Sequence, residues 1–422
     1  MLPPAAPKGA PPPASSLEAY RELEATLYGL RDAVEAVETF DEFSRELDAR
    51  GIPESRIRRI CDLSLGGDLH LHSTASDGKV PPRKLPWLAW AMGLETIGLT
   101  DHDSVSGCRE AFREGMLIGV RVLPGVELST GQPGLEILAY FPDAGKLFGY
   151  LYSSKAARFR NVLGARQQAI HEKSLACLEY VNGWLRRRKV PEERLITLEE
   201  YDRWYGGQKP YFPGTLCVLG LARLTPEQRD ELKIHDPRTF NTRVTTPFLR
   251  KHDMSASGAR SKGARDPLEE NFALLRGVAR AGVPVAAFLA HPKELVTKGK
   301  RSLGAVRSTV FHLAEERGLD GIEVACARDT EGDVRYWKET VDAYNATVSD
   351  GRGSKRRKPL LAASHASDFH VLGPGLATGE ITLGFGVLDS RPHLRRGNLR
   401  PQMPLNAFLE RLSRRARENA GL

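Results

Sequence analysis

The sequence predicts an α/β fold built on parallel strands, and three observations support this prediction. Short apolar segments alternate with longer amphipathic ones between residues 66 and 142, an order typical of parallel sheets with right-handed crossovers. The alternation resumes after residue 267. Histidine and carboxylate side chains directly follow several of the apolar segments, as expected of α/β proteins whose sites form where the strands end.

The first 65 residues precede this pattern. Residues 1–14 are rich in proline and alanine, and we interpret them as a disordered leader. Residues 15–65 form a predicted helical extension, because apolar side chains recur three and four positions apart from 15 to 49. We expect the extension to pack on the outside of the main domain; a helix that binds a partner is the alternative.

The first α/β region contains four predicted strands and two predicted helices. Each strand is a short apolar run, and each helix shows apolar residues at helical spacing. In chain order, the elements are a strand at 69–72, a helix at 82–93, a strand at 96–99, a helix through Ala111 and Phe112, a strand at 120–123 that leads to Glu127, and a strand at 135–141.

The region 143–266 differs in character. It is predicted to be helical, and it is rich in arginine and aromatic residues, including the basic run 186–189. A Ser/Gly/Lys-rich stretch at 251–265 has the composition of a flexible loop. We interpret 143–266 as an insertion that forms a lid or a substrate-binding subdomain; for the basic run, a solvated helix face is the alternative.

The α/β pattern then continues towards the C-terminus. Strand-like and helix-like segments alternate again, and one basic loop interrupts them. In chain order, the elements are a helix at 271–281, a strand at 283–289, a helix at 306–317, a strand at 321–324, a helix at 334–346, a basic loop at 352–358, a strand at 359–363, and a basic amphipathic helix at 405–420 within the C-terminal segment 401–422.

Composition narrows the class of protein. The formal net charge of +8 favours anionic partners such as phosphate esters or nucleic acid. Five cysteines without a Cys-x-x-Cys pair argue against a disulfide framework and against a thiolate zinc site. The sequence has no apolar run of about eighteen residues, the length that a membrane span needs, and no secretory signal. We therefore expect a cytoplasmic protein without membrane contact.

Two histidines in the first strand suggest metal binding. His70 and His72 are two residues apart, so in a strand their side chains share one face while Leu69 and Leu71 pack on the other. A pair of neutral imidazoles on one face can chelate a divalent transition metal. Asp77 follows in a Ser/Gly turn and can reach the same point. Two hydrogen-bonded histidines in a buried strand are the alternative.

The positions of further candidates favour the metal site. Each lies at, or just beyond, the C-terminal end of a predicted strand: His102, Glu127, His291, Asp368 and His370. Loops converge at that edge of a parallel sheet, whereas histidines buried singly in a core have no reason to share this position. The sequence therefore predicts a metal centre at the C-terminal edge of the sheet.

These motifs together resemble a known family. The segments that carry the resemblance are 68–72 (DLHLH), 76–78 (SDG), 100–103 (TDHD), 125–127 (GVE), 290–292 (AHP), 321–324 (GIEV) and 367–370 (SDFH). In this order they resemble the PHP (polymerase and histidinol phosphatase) superfamily. The most similar branch is that of the metal-dependent phosphoesterases that act on nucleoside 3',5'-bisphosphates and on the 5' ends of short RNA. The resemblance covers about 67–387.

The resemblance implies a fold and a set of ligands. The fold would be a distorted (β/α)7 barrel formed by 66–142 and 267–400, with two or three divalent ions of manganese, zinc or iron. One ion would be held by His70, His72, Glu127 and Asp368, a second by Asp77, His102 and His370, and a third by Glu127 and His291, with Glu127 bridging.

Two positions depart from the pattern of these phosphoesterases. Glu136 stands where they usually have a histidine, and Lys209-Pro210-Tyr211 stands where they often have Arg-Pro-His. A carboxylate at Glu136 could still bind an ion and would favour a harder metal; alternatively, the third site is weak or absent. Both changes leave the two-ion core intact.

The resemblance implies hydrolysis of phosphate esters by metal-activated water. The expected substrates are nucleotide 3',5'-bisphosphates or the 5' ends of short RNA. Asp77 and His102 would act at the metals, Asp101 or Asp103 would orient a ligand or the attacking group, and His291 would donate a proton to the leaving oxygen if the third ion is absent. Residues that would bind substrate phosphate are Arg158, Arg160 and Arg166, with Lys79 as a weaker candidate.

Two other functions remain open. A histidinol-phosphatase-like enzyme would use the same chemistry on a small molecule, but such a substrate does not require a long basic insertion. A non-catalytic nucleic-acid-binding protein with a vestigial metal site is the other alternative. The large number of retained ligands argues against it, since a structural site needs fewer ligands and no open position.

Overall fold

The core of the protein is one sheet of seven strands that neighbour one another in chain order. The computed structural model describes residues 28–52, 67–205, 210–251, 266–326, 329–349, 360–370 and 405–421. The predicted leader at 1–14, nearly all of the loop at 251–265 and the loop at 352–358 lie outside the described residues. The strands are β1 (Gly67–Leu71), β2 (Thr96–Leu99), β3 (Arg121–Ser129), β4 (Glu136–Tyr140), β5 (Ala286–Leu289), β6 (Gly321–Cys326) and β7 (Ala362–Ala366).

The sheet closes into a barrel. A parallel bridge joins Leu71 to Phe369, and the His72 amide donates a hydrogen bond to the Phe369 carbonyl at 2.8 Å. The Ser367 amide donates to Asp68 Oδ1 at 2.9 Å. The first and last strands of the sheet therefore meet, which confirms the predicted seven-stranded barrel.

One strand runs against the others. β1, β2 and β3 pair in parallel, as do β5, β6 and β7, but β4 is antiparallel to β3 and to β5. The prediction of parallel strands is wrong for β4, because only the short connection 130–135 precedes it and a parallel crossover needs about a dozen residues. The reversal places Glu136 opposite Ser129, at the edge where the parallel strands end.

Two strands differ in length or position from the prediction. β3 continues to Ser129, because it pairs with β2 up to Pro124 and then with β4. Glu127 consequently lies inside a strand rather than beyond its end. β7 begins at Ala362, three residues later than predicted, and Asp368 still follows it closely.

The N-terminal helices pack on the barrel's outer layer. Lys84 Nζ donates hydrogen bonds to the carbonyls of Val34 at 3.0 Å and Val37 at 2.6 Å, and the rings of Phe43 and Trp87 stack with centroids 5.8 Å apart. The helices here are α1 (described at 28–36), α2 (Phe40–Ala49), α3 (Leu85–Ala91, preceded by a 3-10 turn at Pro82–Lys84) and α4 (Cys108–Ile118).

The insertion is helical, as predicted, and has its own apolar core. Cys177, Trp184, Tyr201, Leu216 and Phe240 are among the residues buried in that core. Its helices are α5 (Ala144–Tyr152), α6 (Ala157–Arg186), α7 (Leu198–Trp204), α8 (Thr215–Arg223), α9 (Pro226–Leu232), α10 (Pro237–Phe240) and α11 (Thr246–Lys251), with a π-helical segment (Asn241–Thr245) between the last two. Within the described ranges, no helix combines the length and apolarity required to cross a membrane.

The C-terminal helix closes the barrel at the edge where the parallel strands begin. Leu412 packs with Leu138 and Phe288 of the barrel interior, and Arg415 Nε lies 2.7 Å from the Oδ1 atom of Asp320, which directly precedes β6. The helices after the insertion are α12 (Pro267–Arg280), α13 (Lys293–Thr297), α14 (Leu303–His312, continued by a π-helical segment at Leu313–Arg317), α15 (Glu331–Ser349) and α16 (Leu405–Ala420).

Candidate metal centre

The two histidines at β1 face the same carboxylate. His70 Nε2 lies 3.1 Å and His72 Nε2 lies 3.3 Å from Glu127 Oε2, and the two Nε2 atoms are 3.0 Å apart. The shared face expected from their spacing is therefore present. Leu69 and Leu71 do not pack together as expected but belong to different apolar clusters, because the register of β1 with β2 is irregular.

Two adjoining groups of side chains carry atoms that could hold metal ions. Within each group, the candidate ligand atoms lie within 4.8 Å of one another. The inner group contains His70, Glu127, His291 and Asp368, and the outer group contains His72, Asp77, His102 and His370. The division implied by the resemblance placed His72 with the first set and His291 with a third, so the structure groups these two histidines differently.

Carboxylates connect the two groups. Asp368 Oδ1 lies 3.5 Å from His70 Nε2 in the inner group and 3.2 Å from His72 Nε2 in the outer group. Glu127 Oε2 lies 3.1 Å from His102 Nδ1 in the outer group. Ions held by the two groups would therefore share carboxylate neighbours.

The outer group is partly exposed to solvent and the inner group is buried. The side chains of Asp77, His102 and His370 are 27%, 20% and 26% exposed, whereas those of His291 and Asp368 are 5% and 3% exposed. A substrate would reach the centre through the outer group.

The chemistry of the donors fits divalent metal ions. Imidazole nitrogens and carboxylate oxygens converge in both groups, and this mixture suits manganese, zinc and iron. The Nε2 atoms of His70 and His72 face each other and the same carboxylate. A neutral imidazole carries a proton on only one of its two nitrogens. Where the Nε2 atoms are unprotonated, their lone pairs point at one another and at the anionic oxygens. A bound cation would remove the repulsion between these electron-rich atoms.

Glu136 and Glu294 extend the cluster next to His291. Glu136 Oε1 lies 3.9 Å from His102 Nδ1, and its Oε2 lies 3.6 Å from His291 Nε2. Glu294 Oε2 lies 3.5 Å from His291 Nδ1. Sequence reasoning missed Glu294; the available signal was its position three residues after His291, at the start of the helix that follows β5.

Neighbouring charges set the protonation of the cluster. Burial alone would raise the pKa of Asp77, but His370 and His102 hold the pKa of this carboxyl well below its usual range. Burial acts in the same way on Glu127, whose pKa His70 and His102 hold well below its usual range. Burial lowers the pKa of His370 to about 4 in spite of Asp77. Anionic carboxylates and a neutral imidazole are the forms that bind cations.

Glu323 of β6 supports the inner group from behind. Its Oε1 lies 3.0 Å from His70 Nδ1, and its Oε2 accepts a hydrogen bond from the His291 amide at 2.6 Å. The carboxylate is fully buried. It orients His70 so that the other ring nitrogen points at the cluster. The motif containing Glu323 was recognised in the sequence, but this role was not.

Asp101 and Asp103 bind the loops around the centre. Asp101 accepts hydrogen bonds from the Ser73 amide at 2.7 Å and from Ser76 Oγ at 2.5 Å. Asp103 Oδ1 lies 3.0 Å from Arg166 Nη1, and the Asp103 amide donates to the Glu127 carbonyl at 2.8 Å. These contacts connect both carboxylates to loop residues of the centre and to the insertion.

The three arginines of α6 that were predicted to bind phosphate have different surroundings. Arg166 is buried next to Asp103, with its Nη2 3.6 Å from Glu270 Oε2. Arg158 is about half exposed and lies 3.8 Å from Glu270. Arg160 donates to backbone carbonyls of the α5–α6 connection. Of the three, the structure places Arg166 in contact with a loop of the centre.

The insertion reaches the centre through the segment before α8. The Phe212 ring lies 6.3 Å from the His102 ring, measured between centroids, and Lys79 Nζ donates to Thr215 Oγ1 at 2.8 Å. Tyr211, which stands at the position of the histidine that the resemblance led us to expect, donates its hydroxyl hydrogen to Asp202 within the insertion.

Comparisons with known proteins agree with this architecture. Residues 68–207 match the PHP domain. A 5'-3' exoribonuclease of Haemophilus influenzae is 39% identical over 95 residues, which are 22% of this chain and 35% of that protein. A 3',5'-nucleoside bisphosphate phosphatase of Chromobacterium violaceum is 40% identical over 63 residues, which are 15% of this chain and 22% of that protein. The matched segments thus span about a third or less of these curated relatives.

One solved structure aligns with most of this chain. An amidohydrolase from Chromobacterium violaceum, crystallised with sulfate and without metal, aligns over 82% of this chain and 96% of its own length, with 21% identity and a TM-score of 0.48.

Proposed function

Because this chain carries a PHP domain, we propose that it is a metal-dependent phosphoesterase that hydrolyses phosphate esters of nucleotides. The observation that carries the proposal is the pair of adjoining ligand groups, of which the outer one is partly exposed to solvent. A purely structural site is closed and holds its ion with about four protein ligands. An open double cluster is better suited to chemistry on a bound substrate.

We assign one ion to the inner group and a second to the outer group. Glu136 and Glu294 next to His291 are candidates for a third. When bound, such ions polarise phosphoryl oxygens and lower the pKa of water. The donor set is compatible with manganese, zinc or iron, and the carboxylate of Glu136 in place of an imidazole favours manganese at the third position.

The side chains of the outer group bind the ion and orient the substrate. In this proposal Asp77 and His102 present their oxygen and nitrogen atoms at the open edge, where the reacting phosphate arrives. His291 acts as a ligand rather than as a proton donor to the leaving oxygen, because its Nε2 already lies 3.0 Å from Glu127 Oε1 inside the inner group.

The loop carboxylates act through other residues. Asp101 holds Ser76, whose Oγ lies 3.4 Å from His72 Nδ1, and so fixes the orientation of that imidazole. Asp103 holds Arg166 at the base of the insertion. We therefore regard both as positioning residues, and Arg166 as the arginine of α6 best placed to act near substrate phosphate.

The proposed substrates are nucleoside 3',5'-bisphosphates or the 5' ends of short RNA. The names of the exoribonuclease and bisphosphate phosphatase relatives support this class, as does the net charge of +8. The Phe212 ring, which is buried in the core of the insertion, lies next to His102 and places the insertion beside the outer group.

The test is phosphate release from a panel of 3',5'-bisphosphates, 5'-phosphorylated oligoribonucleotides and histidinol phosphate. We expect turnover with added manganese, none with chelator, and a loss of at least about a hundredfold in Asp77→Ala and His102→Ala, because each removes a ligand from the open group. Asp230→Ala and His235→Ala, at an exposed pair in the insertion, are matched controls that should retain activity.

The outcomes separate the candidate functions. Preferred turnover of histidinol phosphate would replace the nucleotide assignment with a small-molecule phosphatase. Salt-dependent RNA binding without turnover by a folded, metal-loaded protein would contradict the hydrolase proposal and indicate a binding protein.

A further inference from the structure

We propose that Lys79 binds an anionic oxygen of the substrate's phosphate group and that Tyr205 and Thr215 of the insertion hold its ammonium in place for this purpose. The inference rests on the proposed function, because it assigns a phosphate-binding residue to the same centre. It also gives the insertion a direct part in substrate binding.

The backbone fixes Lys79 at the open side of the centre. Lys79 follows Asp77 by two residues in the loop after β1, and its amide donates a hydrogen bond to the His370 carbonyl at 2.8 Å. Asp77 and His370 both belong to the solvent-accessible outer group. The side chain of Lys79 therefore starts next to the ligands that an arriving substrate meets first.

The insertion fixes the other end of the side chain. Lys79 Nζ donates to Thr215 Oγ1 at 2.8 Å and lies 4.3 Å from the centroid of the Tyr205 ring. Tyr205 Oη lies 2.6 Å from the same Thr215 oxygen. A lysine side chain is normally flexible, and ordering it costs conformational entropy. In this protein, the contacts with Thr215 and Tyr205 order the Lys79 side chain before any ligand binds.

The charges around Lys79 favour an anionic ligand. The hydroxyl and the aromatic ring that contact its Nζ atom are both uncharged. A phosphate oxygen at the outer group would bring a full negative charge to this ammonium. Arg166, by contrast, already lies next to the carboxylates of Asp103 and Glu270.

The first experiment measures binding of inorganic phosphate to the manganese-loaded protein by titration calorimetry. We expect Lys79→Met to weaken binding about tenfold or more, since hydrogen bonds to charged groups are among the stronger ones. Lys79→Arg should restore part of the affinity because it retains the charge. Thr215→Val should weaken binding less than Lys79→Met, because it removes the anchor and retains the ammonium.

Lys146→Met is the matched control. Lys146 is exposed in α5, which follows β4 on the side of the barrel away from the centre, so the same change of charge there should leave phosphate affinity unaltered. Manganese content and melting temperature are recorded for every variant. A loss of phosphate affinity with both quantities unchanged identifies a binding residue rather than a structural one.

Kinetics separate this inference from the proposed function. With a substrate that is turned over, Lys79→Met should raise KM more than it lowers kcat. Unchanged phosphate affinity and unchanged KM in an active Lys79→Met enzyme would overturn the inference and leave the phosphoesterase assignment intact. Lys79-dependent phosphate binding without any turnover would instead support the binding residue and contradict the proposed activity.

Discussion

Glu323 determines how His70 presents its ring to the cluster. A histidine serves as a metal ligand through one nitrogen, and the partner of its other nitrogen fixes the tautomer and the ring orientation. Glu323 supplies that partner for His70 at 3.0 Å and also holds the backbone of His291. A residue that need not contact an ion therefore controls two members of the inner group.

Replacing Glu323 tests this control. We expect Glu323→Gln to weaken manganese binding about 10- to 100-fold, the usual effect of removing a carboxylate that orients a ligating histidine. Affinity is measured by competition with a chelating indicator. Glu316→Gln, at an exposed position shortly before β6, should bind manganese as the parent does. Equal affinities in the two variants would show that Glu323 has no part in orienting His70.

The sequence was enough to predict that candidate residues lie together where their position along a strand places them. His70, His72, His102 and Asp368 all lie in or next to the two ligand groups. Glu323 and Glu294 were missed because their roles depend on partners brought close by folding. Arg158 was included among the phosphate-binding residues on the basis of the resemblance, but its Nη2 lies 3.8 Å from Glu270 Oε1 on a neighbouring helix.

Among the secondary-structure elements, one lysine connects the N-terminal helices to the barrel. Lys84, in the turn before α3, donates to two carbonyls at the end of α1. Carbonyls at a helix C-terminus lack partners within the helix, and a cation there also interacts favourably with the helix dipole. The lysine thus terminates α1 and anchors it to α3 at the same time.

Lys84→Met should loosen the extension without affecting the centre. We expect a loss of about 1–3 kcal/mol of unfolding free energy, from the carbonyls left without their donor, and faster proteolysis within 28–52. Manganese affinity and phosphate release should stay at parental levels. Limited proteolysis with mass spectrometry and chemical denaturation measure the two effects. A variant as resistant as the parent would contradict the anchoring role.

The reversal of β4 shows why element order alone was insufficient. In the sequence, Glu136 stands where the resemblance led us to expect a histidine. The sequence does not show how far Glu136 lies from the other candidate ligands. The short connection 130–135 forces a hairpin, so β4 begins at the same edge of the sheet at which β3 ends. Glu136 therefore lies close to His102 and His291, although a parallel strand would have placed it at the opposite edge.

At the scale of the whole molecule, one edge of the barrel carries the candidate ligands and the other edge is covered by a helix. The ligand groups lie at the edge where the parallel strands end, and α16 covers the interior at the edge where they begin. This separation of binding from stability is a general property of such barrels. Substitutions in α16 should therefore act on folding and not on chemistry.

Leu412→Ala tests that separation. The side chain is 3% exposed and packs against the barrel interior, so its truncation should cost about 2–5 kcal/mol of unfolding free energy. Activity per folded molecule and bound manganese should match the parent. Arg414→Ala, exposed on the same helix, is the control for helix propensity. Loss of manganese from folded Leu412→Ala would show that the two edges are coupled.

The closure between β1 and the segment after β7 has a consequence for the order in which the protein is made. His70 and His72 leave the ribosome about 300 residues before Asp368 and His370, with which they are grouped. A nascent chain shorter than 368 residues therefore lacks one candidate ligand from each group and the backbone hydrogen bonds that join Phe369 to β1. Under the proposed function, ions would be bound by the complete centre late in synthesis, and a chain that ends before residue 368 would lack part of both groups.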